Sequence, residues 1–295
     1  MLTFDVALPV DLRSSLAPLV ASAQDPTIRV RPDRVIRAAW TPEGAATLTI
    51  HQIGPQRFTA SAVGPGQRWA LAHAPGLIGA DDDLDGFDAS AHPTVARAHR
   101  LRPGLRIVRS GQIQDLLVQT ILAQRVTAGE AARAWTMIVR RWGSAAPGPS
   151  GLRLPPRLEE LARVPYWAFH RFGIERSRAQ RITAACRALA RAMDASDLGE
   201  DGGLSHLPGV GPWTRALVAR TAFGDPDAVE VGDFHVKNHV TYALTGEPRG
   251  SDEHMLHLLA PFAGHRGRVV RLLTSVMRRA PSFGARRPVI DIERL

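Results

Sequence analysis

The apolar residues of this 295-residue chain change their spacing near residue 88. Before that point, alternating segments separated by turn residues predict strands over 4–8, 28–30, 35–40, 46–53 and 58–63, with helices near 12–20 and 67–74. After it, helical spacing recurs over 112–126, 127–142, 182–193 and 267–277. Thr127 and Glu130 predict a capping box at the start of the second of these helices. The sequence therefore predicts an α+β fold, with a small antiparallel sheet domain at 1–88 and an all-α domain at 89–295.

Two segments are predicted to be exposed connections. Residues 81–86 read Asp-Asp-Asp-Leu-Asp-Gly, which indicates a solvated linker whose aspartates cap helices. A calcium loop starting there would require a bidentate glutamate where His92 stands, so we expect no calcium site. Residues 143–156 are rich in glycine, proline and serine and predict a long exposed connection.

The charge balance indicates the kind of partner. Lysine and arginine total 37 against 28 acidic residues, and a formal charge of +9 suits a polyanion such as nucleic acid. The single cysteine, Cys186, excludes a disulfide framework and a thiolate metal cluster. We find no basic lead into an apolar run and no apolar stretch that would span a bilayer, so we expect a cytoplasmic protein without a membrane partner.

A glycine turn is the most informative motif. Residues 207–214 read Leu-Pro-Gly-Val-Gly-Pro-Trp-Thr and lead into an apolar helix. Such glycines let the backbone approach a ligand closely, and the free N–H groups of a helix start suit a phosphate. The same spacing also occurs in ordinary turns between helices, so the pattern alone leaves both interpretations open.

An acidic residue follows the glycine turn at the start of a later helix. Asp233 comes directly after Gly232, and on pattern alone it is more typical of a helix N-cap than of a catalytic group. Glu230 is the other acid in this segment. Pattern alone does not choose between these roles.

Together, the glycine turn and Asp233 resemble the helix-hairpin-helix DNA glycosylase superfamily, and most closely its 3-methyladenine DNA glycosylase II branch. The resemblance covers essentially the whole chain. It implies a helix-hairpin-helix glycosylase domain and base excision repair, in which an alkylated purine such as 3-methyladenine is flipped from duplex DNA. Its glycosidic bond is then hydrolysed, which leaves an abasic site.

The resemblance also implies particular partners and site residues. Damaged double-stranded DNA is the expected partner of a nucleoid-associated monomer, with no cofactor except a structural monovalent cation at the carbonyls of 207–211. Asp233 is the expected catalytic residue, with Glu230 as the alternative. The expected DNA-binding residues are Leu207, Gly209, Val210, Gly211, Thr214, Gln124 and Arg125. The last two stand where the superfamily fills the gap left by the flipped base, and the branch usually has an apolar wedge there.

Four aromatic residues are candidates for the lesion pocket: Trp213, Phe234, Tyr166 and Trp167. Electron-poor bases stack on aromatic faces, and the branch places a tryptophan at the Trp213 position against the target base. The group that contains Tyr166, Trp167, Phe169 and Phe172 is more typical of a core than of a pocket. The sequence shows no evident hydrogen-bonding set around Trp213, which favours an alkylated base over other lesions.

Relatives that also cut the DNA backbone have a lysine at the Trp213 position. The one lysine of this chain, Lys237, is expected to pair with Asp233 at i,i+4, so we predict no lyase activity. His235 and His239 share a helix face, but we predict no metal site because further ligands are missing. Two alternatives stay open: a glycosylase for an oxidised or deaminated base, and a non-catalytic module that binds DNA structure.

Overall fold

The computed structural model describes residues 1–194, 204–278 and 280–281. The predicted helical domain also includes 195–203, 279 and 282–295, which lie outside the described residues. Within the described ranges, no helix combines the length and apolar character that crossing a bilayer requires.

The N-terminal part is a five-stranded antiparallel sheet, as predicted. Its strands are β1 (Leu2–Asp5), β2 (Ile28–Val30), β3 (Arg34–Thr41), β4 (Gly44–Gly54) and β5 (Arg57–Val63), in the order β1-β5-β4-β3-β2. The first strand ends earlier than predicted, because Asp5 pairs with Arg57, where the partner strand β5 begins. Helices α1 (Leu12–Leu16), α2 (Gln67–Ala72) and α3 (Ala74–Leu77) belong to the same part of the chain.

The rest of the described chain is mainly helical. The helices are α4 (Pro93–Leu101), α5 (Ile113–Leu122), α6 (Ala128–Trp142), α7 (Leu158–Arg163), α8 (Arg176–Asp194), α9 (Pro212–Val218), α10 (Val236–Thr245), α11 (Asp252–Leu259) and α12 (Arg266–Val276). The predicted capping box opens α6, with Thr127 and Glu130 bonded reciprocally. A π-helical turn, Ala219–Phe223, extends α9.

The buried apolar residues form two main clusters. One joins the inner face of the sheet, represented by Leu48 and Phe58, to Leu116 and Trp135 of the helical part. The other holds α4, α10, α11 and α12 together. The boundary at residue 88 stays a prediction, and the sheet shares its core with helices that follow that boundary.

The glycine- and proline-rich segment 143–156 is not simply an exposed connection. Two short strands, β6 (Ser144–Ala145) and β7 (Arg153–Leu154), form a ladder within it. Leu152 and Leu154 are buried against Ala38 of the sheet, and the Trp40 indole N–H donates to the carbonyl of Pro155 at 2.7 Å. The segment covers one face of the sheet, which its composition does not indicate.

The acidic segment 81–86 is also not a solvated linker. Asp82 accepts two hydrogen bonds of 2.7 Å from the guanidinium of Arg268 on α12, and both side chains are almost fully buried. Asp81 forms an ion pair with Arg109. Asp88, which follows the segment, accepts from the backbone N–H of Ser90 and caps the short helical turn there. The segment therefore attaches to the helical part through buried charge.

Candidate active site

The hairpin 207–211 exposes Pro208 and its two glycines. Leu207 and Val210 are buried and anchor the turn in the core. Gly209 has a positive φ of 77°, and an added Cβ there would lie 3.0 Å from Cγ of Arg181. Gly211 precedes α9 with an ordinary φ of −87°. Of the predicted DNA-binding residues in this turn, the two glycines are the ones that face solvent.

Gln124 connects the end of α5 to the hairpin. Its side-chain amide donates to the carbonyl of Gly209 at 3.2 Å and to Oγ1 of Thr214 at 3.4 Å, and its Oε1 accepts from Arg181 at 3.0 Å. The next residue, Arg125, is exposed and has φ of 60°. Among the described residues it is the one non-glycine with a positive φ. The structure thus places Gln124 and Arg125 beside the hairpin, as the resemblance implies.

Asp233 and Trp213 are joined directly. The indole N–H of Trp213 donates to Oδ2 of Asp233 at 2.8 Å, while Oδ1 accepts from the backbone N–H groups of His235 and Val236. The Asp233 carboxylate therefore caps the start of α10 and also faces Trp213. The hydrogen bonds to the backbone fit a capping role, and a catalytic role for Asp233 stays a prediction.

The lysine is paired differently from our expectation. Lys237 Nζ lies 3.2 Å from Oδ2 of Asp252 at the start of α11, so the predicted Asp233–Lys237 pair is wrong. The oxygens of Asp233 accept hydrogen bonds from Trp213 and from the backbone. Asp252 is the acidic residue that lies beside Lys237 in the fold. His239 is buried beside the carbonyl of Leu273, and the described residues contain no cluster of three potential metal ligands.

Trp213 lines a cavity of about 380 Å³. Its apolar walls come from the segment after α1 and from α5, α6 and α9: Ala17, Pro18, Ala21, Leu116, Ala123, Ala128, Ala131, Ala132, Trp135 and Leu217. The volume lies within the usual range of small-molecule pockets, roughly 300–1,000 Å³. The cavity is open enough to receive a base beside Trp213.

The same cavity carries three charged side chains that our sequence analysis did not bring together. Arg220 forms a buried ion pair with Oε1 of Glu230, and Arg271 from α12 lines the cavity with them. The expectation that Trp213 lacks a hydrogen-bonding set is therefore wrong. Because the chain has so many arginines, their spacing gave no signal that Arg220 is buried or that Arg271 is half-buried beside the same cavity.

The ionisation of this charged group follows from its burial. Burial by itself raises the pKa of Glu230, but the Arg220 charge and hydrogen bond outweigh it and the pKa is lowered. Burial and the nearby Arg220 charge lower the pKa of Arg271 to about 10, against the opposing influence of Glu230. At neutral pH the three groups therefore carry two positive charges and one negative charge.

The other predicted pocket aromatics do not line this cavity. Phe234 is 73% exposed beside Asp233. Trp167 is 64% exposed and lines a separate surface cavity with Trp142 and Arg171. Tyr166 packs against His170 and lies under the guanidinium of Arg176. The remaining two aromatics of that predicted group, Phe169 and Phe172, are buried in the core.

Solved structures share the fold of this chain, an N-terminal sheet joined to a helical part. The 3-methyladenine DNA glycosylase from Archaeoglobus fulgidus matches 93% of this chain and 97% of its own, with a TM-score of 0.77 at 16% identity. The Clostridium acetobutylicum 8-oxoguanine glycosylase/lyase in complex with DNA matches 92% and 96%, with a TM-score of 0.67 at 14% identity.

Part of the sequence also matches a protein family. Residues 118–262 match the model of the HhH-GPD superfamily base excision DNA repair proteins. This match confirms the resemblance for that part of the chain. A probable bifunctional transcriptional activator/DNA repair enzyme AlkA of Mycobacterium tuberculosis is 30% identical over 167 residues, 54% of this chain. The chain spans 31% of the length of that relative.

Proposed function

We propose that this chain is a monofunctional DNA glycosylase of base excision repair, which flips an alkylated purine from duplex DNA and hydrolyses its glycosidic bond. The observation that carries the proposal is the hydrogen bond between Trp213 and Asp233. It joins the wall of a base-sized cavity to a fixed carboxylate, next to a hairpin of the superfamily. The names of the similar proteins and structures support the same activity.

In this proposal Asp233 stabilises the positive charge that develops on the sugar as the base departs. Oriented charge acts most strongly when it needs no reorganisation during the reaction. The Asp233 carboxylate is already held by Trp213 and by two backbone N–H groups at 2.7 and 2.8 Å. The cavity beside Trp213 receives the flipped base, and an alkylated purine with a positive charge leaves without a strong general acid.

The hairpin and the turn at Gln124 and Arg125 form the proposed DNA contact. The exposed backbone at Gly209 and Gly211 meets the phosphates, and Arg125 reaches toward the gap left by the base. Arginine fills and stacks in such a gap, although the branch usually has an apolar residue there. The net charge of +9 supports salt-sensitive scanning of chromosomal DNA by a single copy of the protein.

A monovalent cation at the hairpin is compatible with the carbonyls present. The Leu207 carbonyl accepts from Val210 N, the Gly209 carbonyl from Gln124, and the Gly211 carbonyl from Arg215 N. Each carbonyl oxygen has a second lone pair, so these residues can still bind a cation. We include this cation in the proposal as structural only.

The absence of lyase activity is proposed from the position of the one lysine. A lyase step needs an amine that attacks the sugar. In this chain an indole occupies the position beside Asp233, and the amine of Lys237 is paired with Asp252. The reaction therefore ends at an intact strand with an abasic site.

The test is release of free base from methylated duplex DNA, with strand breakage scored before and after alkali. Asp233→Asn keeps an oxygen for the backbone N–H groups but removes the charge, so we expect base release to fall at least about 100-fold. Glu253→Gln removes a carboxylate charge at an exposed position of α11 and serves as the matched control. Breaks should appear only after alkali.

Three results would contradict the proposal. Undiminished release by Asp233→Asn would remove Asp233 from the mechanism. No release by the wild type, together with tight DNA binding, would favour a non-catalytic module that recognises DNA structure. Strand breaks before alkali, trapped by borohydride, would show a lyase.

A further inference from the structure

We propose that Arg220, Glu230 and Arg271 determine specificity, by selecting purines with a 6-carbonyl group next to a ring N–H over 6-aminopurines. The inference rests on the proposed glycosylase function and narrows its substrate class. It starts from the polar side of the cavity that Trp213 lines, which includes all three residues.

Two polar atoms of this group lack a protein partner among the described residues. Oε1 of Glu230 accepts from Arg220, but Oε2 is buried and unpaired. Nε of Arg220 is also buried and unpaired, while its Nη1 donates to the carbonyl of Ala228 at 3.2 Å. A buried charged group with an unmade hydrogen bond is unfavourable, because it has lost its water without gaining a partner. A bound base that supplies the missing partners would remove this penalty.

The charges in the cavity favour one kind of partner. Two guanidinium groups line the cavity with a single carboxylate, so positive charge is in excess. The Arg271 guanidinium donates from Nη2 to the carbonyl of Ser14 at 2.6 Å and has further N–H groups for a bound base. A carbonyl oxygen is the group that arginine recognises most often on a purine, whereas carboxylates accept from base N–H groups. A purine edge with a C=O group beside an N–H group fits this arrangement. Its carbonyl oxygen would accept from an arginine, and its N–H would donate to Oε2 of Glu230.

Hypoxanthine and 7-methylguanine have this edge, with O6 as the acceptor and N1–H as the donor. In 3-methyladenine the polarity is reversed at both positions, because N6 donates and N1 accepts. Placed in the same orientation, its amino group would face the arginines and its N1 lone pair would face the carboxylate. The orientation of the base is constrained, since Glu230 and Asp233 belong to one turn, closed by a hydrogen bond of 3.1 Å.

The experiment compares four bases under single-turnover conditions. Duplexes with a single hypoxanthine or a mispaired adenine provide the neutral pair, and methylated DNA provides 7-methylguanine and 3-methyladenine as the cationic pair. Each rate constant is divided by the spontaneous release rate of the same base, because the bases differ in chemical lability. We expect the 6-oxo member of each pair to show the larger enhancement, by at least tenfold.

Two variants test the residues themselves. In Glu230→Gln the side-chain amide oxygen accepts from Arg220, and an NH₂ donor replaces the acceptor Oε2. We therefore expect release of hypoxanthine and 7-methylguanine to fall at least tenfold and release of 3-methyladenine to change less than threefold. Arg271→Met removes one donor and should lower the same two activities selectively. Arg31→Met, at an exposed turn of the sheet, is the matched control.

Wild-type enhancements that are equal for the two members of each pair, or larger for the 6-amino member, would overturn the inference and leave the proposed function intact. Equal losses for all bases in both variants would also overturn it, because that pattern indicates only a structural role. No release of any base by the wild type would instead remove the proposed function and this inference with it.

Discussion

Gly209 and Gly211 are alike in sequence but are predicted to respond in opposite ways to the same substitution. At Gly209, alanine has to adopt a φ of 77°, which costs about 1–2 kcal/mol for a residue with a Cβ. The new Cβ would also lie 3.0 Å from Cγ and 3.1 Å from Cδ of Arg181. Moving Arg181 loosens its 3.0 Å hydrogen bond to Gln124, about another 0.5–1.5 kcal/mol.

We therefore expect Gly209→Ala to lower the free energy of unfolding by about 2–3 kcal/mol. At Gly211 the φ is −87° and an added Cβ meets nothing within 4 Å, so alanine should leave stability unchanged or raise it by up to about 1 kcal/mol.

The assay is urea denaturation followed by tryptophan fluorescence. Anisotropy measurements with undamaged duplex DNA show whether the loosened Arg181–Gln124 contact also weakens DNA binding. Equal destabilisation by the two substitutions would refute the reasoning, because it would mean that φ and the Arg181 contact do not decide the outcome.

Two further predictions concern buried charge. Asp82→Ala leaves the buried guanidinium of Arg268 without its bidentate partner, so urea denaturation should show a free energy of unfolding about 3–5 kcal/mol lower. The control Asp85→Ala, at an exposed position, should change the free energy of unfolding by no more than about 0.5 kcal/mol. Similar losses for the two variants would contradict this prediction. Burial raises the pKa of Asp115 to about 6, although the Arg37 charge opposes it. The folded state thus holds this proton more tightly, so stability should fall as the pH rises from about 4 to about 6, by about 3 kcal/mol at most. Asp115→Asn should flatten that part of the pH profile, and an unchanged slope would be evidence against it.

The elements that local pattern defines were predicted well. The strand at 28–30 was found with the same bounds, and the Thr127–Glu130 capping box opens α6 as expected. Both depend on neighbours within a few residues, whose spacing the sequence displays directly. The hairpin and Asp233 were found for the same reason, since a short motif with distinctive chemistry stands out from its surroundings.

The errors all concern side chains that meet across long stretches of chain. Composition made 81–86 a linker, but Asp82 pairs with Arg268, which is 186 positions away. The i,i+4 spacing predicted an ion pair between Lys237 and Asp233. In the structure, the turn between α10 and α11 places Asp252 beside Lys237 instead. The cavity was predicted to lack polar groups, because nothing in the local sequence distinguishes Arg220 and Arg271 from the other arginines of this basic chain.

The sequence by itself determined the change from sheet to helices, the hairpin and the carboxylate that follows it, because backbone conformation responds to local spacing and to glycine. Tertiary structure alone decided which side chains are buried together: the Trp213–Asp233 bond, the pairing of Asp82, and the two arginines that share a cavity with Glu230. A charge becomes a determinant of binding or stability only when packing removes its water, and no local pattern records which charges lose theirs.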